Sequence, residues 1–425
     1  MPNFCERIAH AAARFPGRPA IEMSGRDGLV TTTYAELLTS SGRMAAWLLE
    51  AGHVRSGDRV AILAANEASW IAAYLGILRI GAVAVPLDTA YAPHQVATIL
   101  ADAGARVLFT SDRLRDVAHE AATLAGGSIC VAPLTLRDAT RETNIPPIVA
   151  MDDAAAAAIL YTSGTTADPK GVVLTHGNLE AERVAALGVI HVTEDDAVLG
   201  VLPLFHALAQ MANLLLPLSA GARVVFLESI NSASLVEALD ARGITIFACV
   251  PQFFYLIHQR VVGEFARRGR VVRALFTGIV RTNAVLRDTI RANPGRWVFG
   301  RVHKALGSKM RMLITGGSRF DPAIARDLYG LGLTLLNGYG LTETSGAATV
   351  MRPGDRFTTS VGQPLPGVEV RIAPEPTLAG DDAADKDTGE ILIRGPIVMR
   401  EYFNRADATA EAIRDGWLHT GDLGR

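Results

Sequence analysis

The sequence predicts an α/β protein in which helices cover both faces of parallel sheets, with a small β subdomain near the C-terminal end. Short apolar runs alternate with helical stretches as far as residue 350, and strands buried on both faces read as continuous apolar runs of this kind. After Val350 the texture changes to Gly and Pro turns between alternating strands. With 425 residues, 49% of them hydrophobic and 20% charged, the chain is long enough to bury several layers.

In order, the strand-like runs are RVAILAAN (Arg59 to Asn66), GAVAVPL (Gly81 to Leu87) and RVLFT (Arg106 to Thr110), with a helix expected over Ser69 to Ile80. Ala154 to Tyr161 is an apolar run leading into a loop, and Gly171 to Leu174 reads as the second strand of that hairpin. RVVFL (Arg223 to Leu227) and ITIFACV (Ile244 to Val250) continue the pattern. VEVRIAP and GEILIRG, after the change of texture, suggest a barrel-like β subdomain, and the Asp- and Ala-rich stretch Ala379 to Thr388 reads as a solvated loop. The organisation expected is a layered portion over residues 1–355 and a β-barrel-like portion over 356–425, with no internal repeat.

Net charge is −2, so nothing global points to nucleic acid. Cys5, Cys130 and Cys249 are isolated, without CxxC or metal-ligand spacing, which favours a reducing cytoplasm and no structural metal. Met1 to His10 lacks the apolar core of a signal peptide, and runs such as Val198 to Leu208 are too short to span a bilayer. Charge is nevertheless uneven. Residues 260–311 hold thirteen Lys and Arg against Glu264 and Asp288, so this segment is +11 and the remainder −13. Leu275, Phe276, Val285, Leu286, Ile290, Trp297, Val298 and Phe299 interleave with the cations, as in amphipathic helices. Such helices bind anionic membrane surfaces, or pack as a helical hairpin with a solvated basic face.

The run YTSGTTADPKG, Tyr161 to Gly171, concentrates hydroxyls, small residues and one lysine in a single loop. Small residues such as Gly164 let backbone N–H groups converge on an anion; Thr162, Ser163, Thr165 and Thr166 add donors, and Lys170 adds a mobile positive charge. A Ser/Thr-rich surface turn is the plainer reading. The spacing is not that of a GxxxxGK[ST] nucleotide loop, and no GxGxxG follows a strand, which disfavours a redox role.

Three further segments accompany this loop: NGYGLTET (Asn337 to Thr344), GEILIRGP (Gly389 to Pro396) and DGWLHTGDLG (Asp415 to Gly424). In this order and at these separations, they resemble the acyl-adenylate-forming superfamily of acyl-CoA synthetases, luciferases and peptide-synthetase adenylation domains, over nearly the whole chain. The resemblance implies two parallel-type sheets in an αβαβα arrangement, and the use of ATP, Mg2+ and coenzyme A. By the same resemblance Thr162 and Glu343 hold magnesium, and Tyr339 lies against adenine. Asn337, Gly338, Gly340 and Gly316-Gly317-Ser318 form the rest of the base pocket. Thr342 touches the α-phosphate, while Ser163, Gly164, Thr165, Thr166 and Lys170 handle the departing phosphates. Asp422 accepts from both ribose hydroxyls, a geometry one short acceptor-only side chain can satisfy. His206, in LPLFH, lines the acid site and is not expected to act as a general base. Carboxylate and triphosphate repel each other, so joining them requires negative charge to be held and screened while pyrophosphate leaves.

Each residue also has an ordinary reading on its own: Asp422 closes a turn with Gly421, Tyr339 anchors a packed loop, and Glu343 caps a helix. One departure stands in the first loop, where Ala167 replaces the usual glycine and Asp168 adds a negative charge, so a stiffer loop or weaker nucleotide binding is expected. The basic segment is similar to the insertion of long-chain fatty acyl-CoA synthetases. The expected function is therefore ATP-dependent ligation of a long-chain fatty acid to CoA, through acyl-AMP, in the cytoplasm or at an anionic inner membrane face. Alternatives are a fatty acyl-AMP ligase serving a carrier protein, a medium-chain or aryl acid ligase, or a binding module without turnover. Family members continue past TGD into a smaller domain whose lysine contacts the reacting carboxylate, so these 425 residues are expected to bind ATP and acid but to be impaired in both reaction steps. No oligomeric state follows from the sequence.

Overall fold

The computed structural model describes residues 3–25, 28–135, 144–162, 169–228, 231–355, 360–374 and 387–425. Two large sheets organise them. The seven-stranded sheet runs Glu401–Tyr402, Lys170–Thr175, Ala156–Thr162, Val83–Pro86, Arg59–Leu63, Ala105–Thr110, Cys130–Pro133. The nine-stranded sheet runs Gln363–Pro364, Thr349–Val350, Leu335–Tyr339, Met312–Thr315, Ile246–Cys249, Ala197–Gly200, Arg223–Leu227, Pro19–Gly25, Gly28–Thr33. Their interiors are parallel and their antiparallel pairs lie toward the edges.

The continuous apolar runs are explained by which side each residue faces. Val60 and Ile62 belong to the central core while Ala61 and Leu63 belong to an outer one, the alternation that a strand imposes. The central core also holds Leu199, Phe226 and Phe247 of the nine-stranded sheet, and between the sheets lies the helix Ala68–Arg79, buried from Trp70 to Leu78. A helix apolar all round has no face for water. It packs on Tyr34–Glu50 closely enough that a Cβ on Gly76 would lie 2.7 Å from Met44 Cβ, so glycine sets the approach of the two helices. Outer helices cover the far faces: Val96, Ile99 and Leu100 on one sheet, and Ala185, followed by Ile190 just past its helix, on the other. This is the layered α/β architecture expected.

The small subdomain is a four-stranded antiparallel sheet, Glu369–Pro374, Gly389–Arg394, Trp417–Gly424, Ile413–Arg414. Among the described residues it is open and does not close into a barrel. Two pairings cross residue 355: Gln363–Pro364 joins Thr349–Val350, and Glu401–Tyr402 joins Val172 and Val173. The solvated loop expected over 379–388 lies outside the described residues except for its last two positions.

The basic segment is helical, in Pro251–Ala266, Arg270–Ile290, Gly295–Val298 and Gly300–Ala305, but of the apolar residues read from the sequence as interleaved with its cations only Phe276 and Phe299 are buried, while Leu275, Val285, Ile290, Trp297 and Val298 are exposed. Phe276, Val280 and Ala284 face inward, Phe276 stacking on Phe265 at 4.1 Å, and Arg287 lies over the Tyr329 ring at 3.7 Å. Val271 is 82% exposed and Trp297 90%. Among the described residues no helix is long and apolar enough to cross a membrane.

Candidate functional site

Ligands of open parallel sheets gather beyond the carboxyl ends of the strands. Three such ends carry the motifs here. Met312–Thr315 runs into Gly316-Gly317-Ser318, Leu335–Tyr339 into Gly340 and Thr342, and Ala156–Thr162 into the hydroxyl-rich loop. Ser163, Gly164, Thr165, Thr166, Ala167 and Asp168 of that loop lie outside the described residues.

Glycine is required where the 337–344 segment doubles back: a Cβ on Gly340 would lie 2.5 Å from Gly346 O and 2.6 Å from Ala347 Cα, both backbone atoms. This close return presents Tyr339, whose hydroxyl donates to Asp422 Oδ2 at 2.8 Å. Burial, reinforced by the Asp422 charge, raises the phenol above its ordinary pKa. Two motifs distant in sequence thus meet through their most chemically specific residues. Asn337 is tied by its side-chain amide to Ser360 O at 3.2 Å.

Thr342–Thr344 forms a single 3-10 turn, ended by Ser345 at φ 61, so Glu343 sits in a turn and caps no long helix. The Tyr402 hydroxyl donates to Glu343 Oε1 at 2.7 Å, and Met399 N–H donates to Glu343 O at 2.7 Å. Lys170 Nζ lies 5.2 Å from the Tyr402 ring centroid, in cation–π reach. Thr162 and Lys170 are register partners across their hairpin. Glu343, Tyr402 and Lys170 therefore form one chain of contacts. Tyr402 escaped the sequence reading, because the REY run containing it shows no pattern of its own and the residue arrives only by pairing with Val172.

A cavity of about 80 Å3 lies against Gly316, Gly317 and Tyr339, walled by Leu208, Met211, Ile246 and Ile314. His206 stands at the N-terminus of Ala207–Gln210, two residues before Leu208, its ring 4.3 Å from that of Phe205. Burial lowers its pKa, which favours the neutral imidazole. A second hollow of about 510 Å3, lined by Leu239, Ile257, Val261, Phe265, Trp297 and Phe299, lies between the basic segment and the helix Ser232–Ala241.

Residues 8–403 match the family model described as AMP-binding enzyme, and the chain belongs to that family, the acyl-adenylate-forming CoA ligases. It is 31% identical over 403 residues to a feruloyl-CoA synthase of an Amycolatopsis species, covering 94% of this chain and 72% of that one. A long-chain-fatty-acid–CoA ligase of Mycobacterium tuberculosis is also 31% identical, over 94% of this chain and 68% of that one. Among solved structures, O-succinylbenzoate coenzyme A synthetase of Bacillus subtilis in complex with AMP superposes with a TM-score of 0.77 at 26% identity, covering 100% of this chain and 95% of that one.

Proposed function

We propose that this chain carries the adenylation site of an AMP-forming acid:CoA ligase, which joins a carboxylate to ATP with loss of pyrophosphate and then passes the acyl group to CoA. The observation that carries this reading is the Tyr339–Asp422 contact, which unites the base-stacking and ribose-binding candidates in one corner. Asn337, Gly338, Gly340 and Gly316 to Ser318 would complete the adenine pocket, and Thr342 would approach the α-phosphate. Lys170, with Ser163 to Thr166, would neutralise the departing phosphates, and Tyr402 would position Glu343. Magnesium, held by Glu343 and the Thr162 hydroxyl, would screen the phosphate charge, since this ion takes few protein oxygens and fills its shell from phosphate and water. Glu343 Oε2 makes no hydrogen bond among the described residues and is free for that role. Residues 1–355 would supply the acid and nucleotide cavity, and 356–425 the ribose side. Acid-dependent exchange of pyrophosphate into ATP tests the reaction: ATP binding without exchange for any acid would leave a binding module instead. Acyl transfer to free CoA, and not to a carrier protein, is the expected second step.

For the acid we propose a long-chain fatty acid, on the apolar walls of both hollows and the amphipathic basic segment. A compact aryl acid is the second reading, favoured by the small first cavity, well under the roughly 300–1,000 Å3 of common ligand pockets. His206 would line the acid beside Leu208. A fatty acid would arrive from a membrane, and the exposed Trp297, Val271 and flanking arginines suit an anionic surface. Changing Arg267, Arg268, Arg270 and Arg273 to Glu should therefore reduce co-sedimentation with anionic vesicles, each cation near the surface contributing about 1 kcal/mol. High salt should act likewise. Equal binding by variant and parent, or none by the parent, would leave the segment as a cover over the hollow beneath it.

A further inference from the structure

The wall of the smaller cavity is not wholly apolar. Glu182, on the helix His176–Leu187, and Thr315, at the end of Met312–Thr315, both line it and are each 1% exposed. Glu182 Oε1 accepts the N–H of Ala347 at 2.8 Å. Oε2 has no partner among the described residues, and neither has the Thr315 hydroxyl. None of the lining residues is basic, so no cation compensates the carboxyl. Native structures seldom leave such atoms unsatisfied, and an aliphatic chain entering the cavity would leave them so.

We propose that Glu182, with Thr315, is a specificity-determining group that selects an acid bearing a hydroxyl on its alkyl or aryl body over the same acid without it. This rests on the reading that the cavity receives the acid. Burial, offset in part by the Ala347 N–H, holds the Glu182 carboxyl well above the ordinary carboxylate range. Burial favours the protonated carboxyl, whose O–H would donate to a ligand oxygen while the Thr315 hydroxyl donates or accepts. The position explains the neighbouring glycine as well: a Cβ on Gly346 would lie 3.0 Å from Glu182 Oε1 and crowd the carboxyl.

The test compares acids that differ only by the hydroxyl, palmitate with omega-hydroxypalmitate and cinnamate with para-hydroxycinnamate, in pyrophosphate exchange. The hydroxylated member of at least one pair should be preferred in kcat/KM by about ten-fold or more, because a site built to hydrogen-bond a hydroxyl rejects the analogue lacking it. The pair showing the preference separates the alkyl from the aryl source. In Glu182→Leu the ratio should fall toward one, and Glu182→Gln, which keeps a donor, should restore part of it. Thr315→Val supplies an independent variant should Glu182→Leu fail to fold, and should also lower the ratio. A parent without preference in either pair, an unchanged ratio in Glu182→Leu and Thr315→Val, or a stronger preference for an amine-bearing acid overturns the proposal. Should no acid support exchange, the ligase reading fails by itself; calorimetry of the same pairs still decides the preference, and equal affinities overturn it.

Discussion

Replacing Glu343 by Gln should lower acid-dependent pyrophosphate exchange by about 10²–10³, the range for losing one group that stabilises developing charge. The substitution is chosen because it removes charge while keeping shape. The amide oxygen can still accept from Tyr402, and the bond from Met399 N–H to the residue 343 carbonyl is untouched, so thermal melting should stay close to that of the parent. What disappears is the negative charge facing the candidate phosphate site, together with an anionic oxygen for magnesium. Tyr402→Phe should fall between the parent and Glu343→Gln, since it leaves the charge and the ring beside Lys170 but removes the hydroxyl that fixes the carboxylate's direction. Exchange within ten-fold of the parent in Glu343→Gln would remove this residue from the phosphate site. Loss of exchange accompanied by a large drop in melting temperature would assign it a structural role instead.

What could be read from the sequence was the part written in local patterns. Apolar runs such as RVAIL and RVVFL specify strands covered on both sides, and they form the interiors of the two sheets. The crowding of thirteen cations among regularly spaced apolar residues likewise announces amphipathic helices, and Phe276 and Val280 are buried while Val271 and Leu275 are not. Contacts made by pairing at a distance were not legible. Tyr402 reaches Glu343 only because a two-residue strand adds to the edge at Val172 and Val173. Glu182, flanked by Ala181 and Arg183 on a helix, reads as one more solvated charge. Its neighbour Glu180 is also buried but pairs with Arg7 and Arg183, whereas Glu182 turns toward Ala347 and the cavity. Nor does alternation in VEVRIAP and GEILIRG say whether strands close on themselves; the described ones form an open sheet.

Asp422→Ala should weaken ATP binding by roughly 1–3 kcal/mol, the range for losing hydrogen bonds to a charged group, or about five- to 150-fold in affinity. The structure adds a condition to this expectation. Asp422 Oδ2 is already engaged by the Tyr339 hydroxyl at 2.8 Å, so a ribose seeking both carboxylate oxygens must share or displace that donor. Tyr339→Phe keeps the ring for stacking and frees the oxygen, and its affinity should stay within a few-fold of the parent. Tyr339→Ala removes the ring face and should weaken binding by about 1–3 kcal/mol, as base stacking on an aromatic side chain contributes. The order expected by calorimetry is therefore a large loss for Asp422→Ala and Tyr339→Ala and a small change for Tyr339→Phe. Affinity unchanged in both alanine variants would remove the nucleotide site from this corner. A loss in Tyr339→Phe as large as in Asp422→Ala would show that the phenol–carboxylate bond, and not the free carboxylate, is what the nucleotide requires.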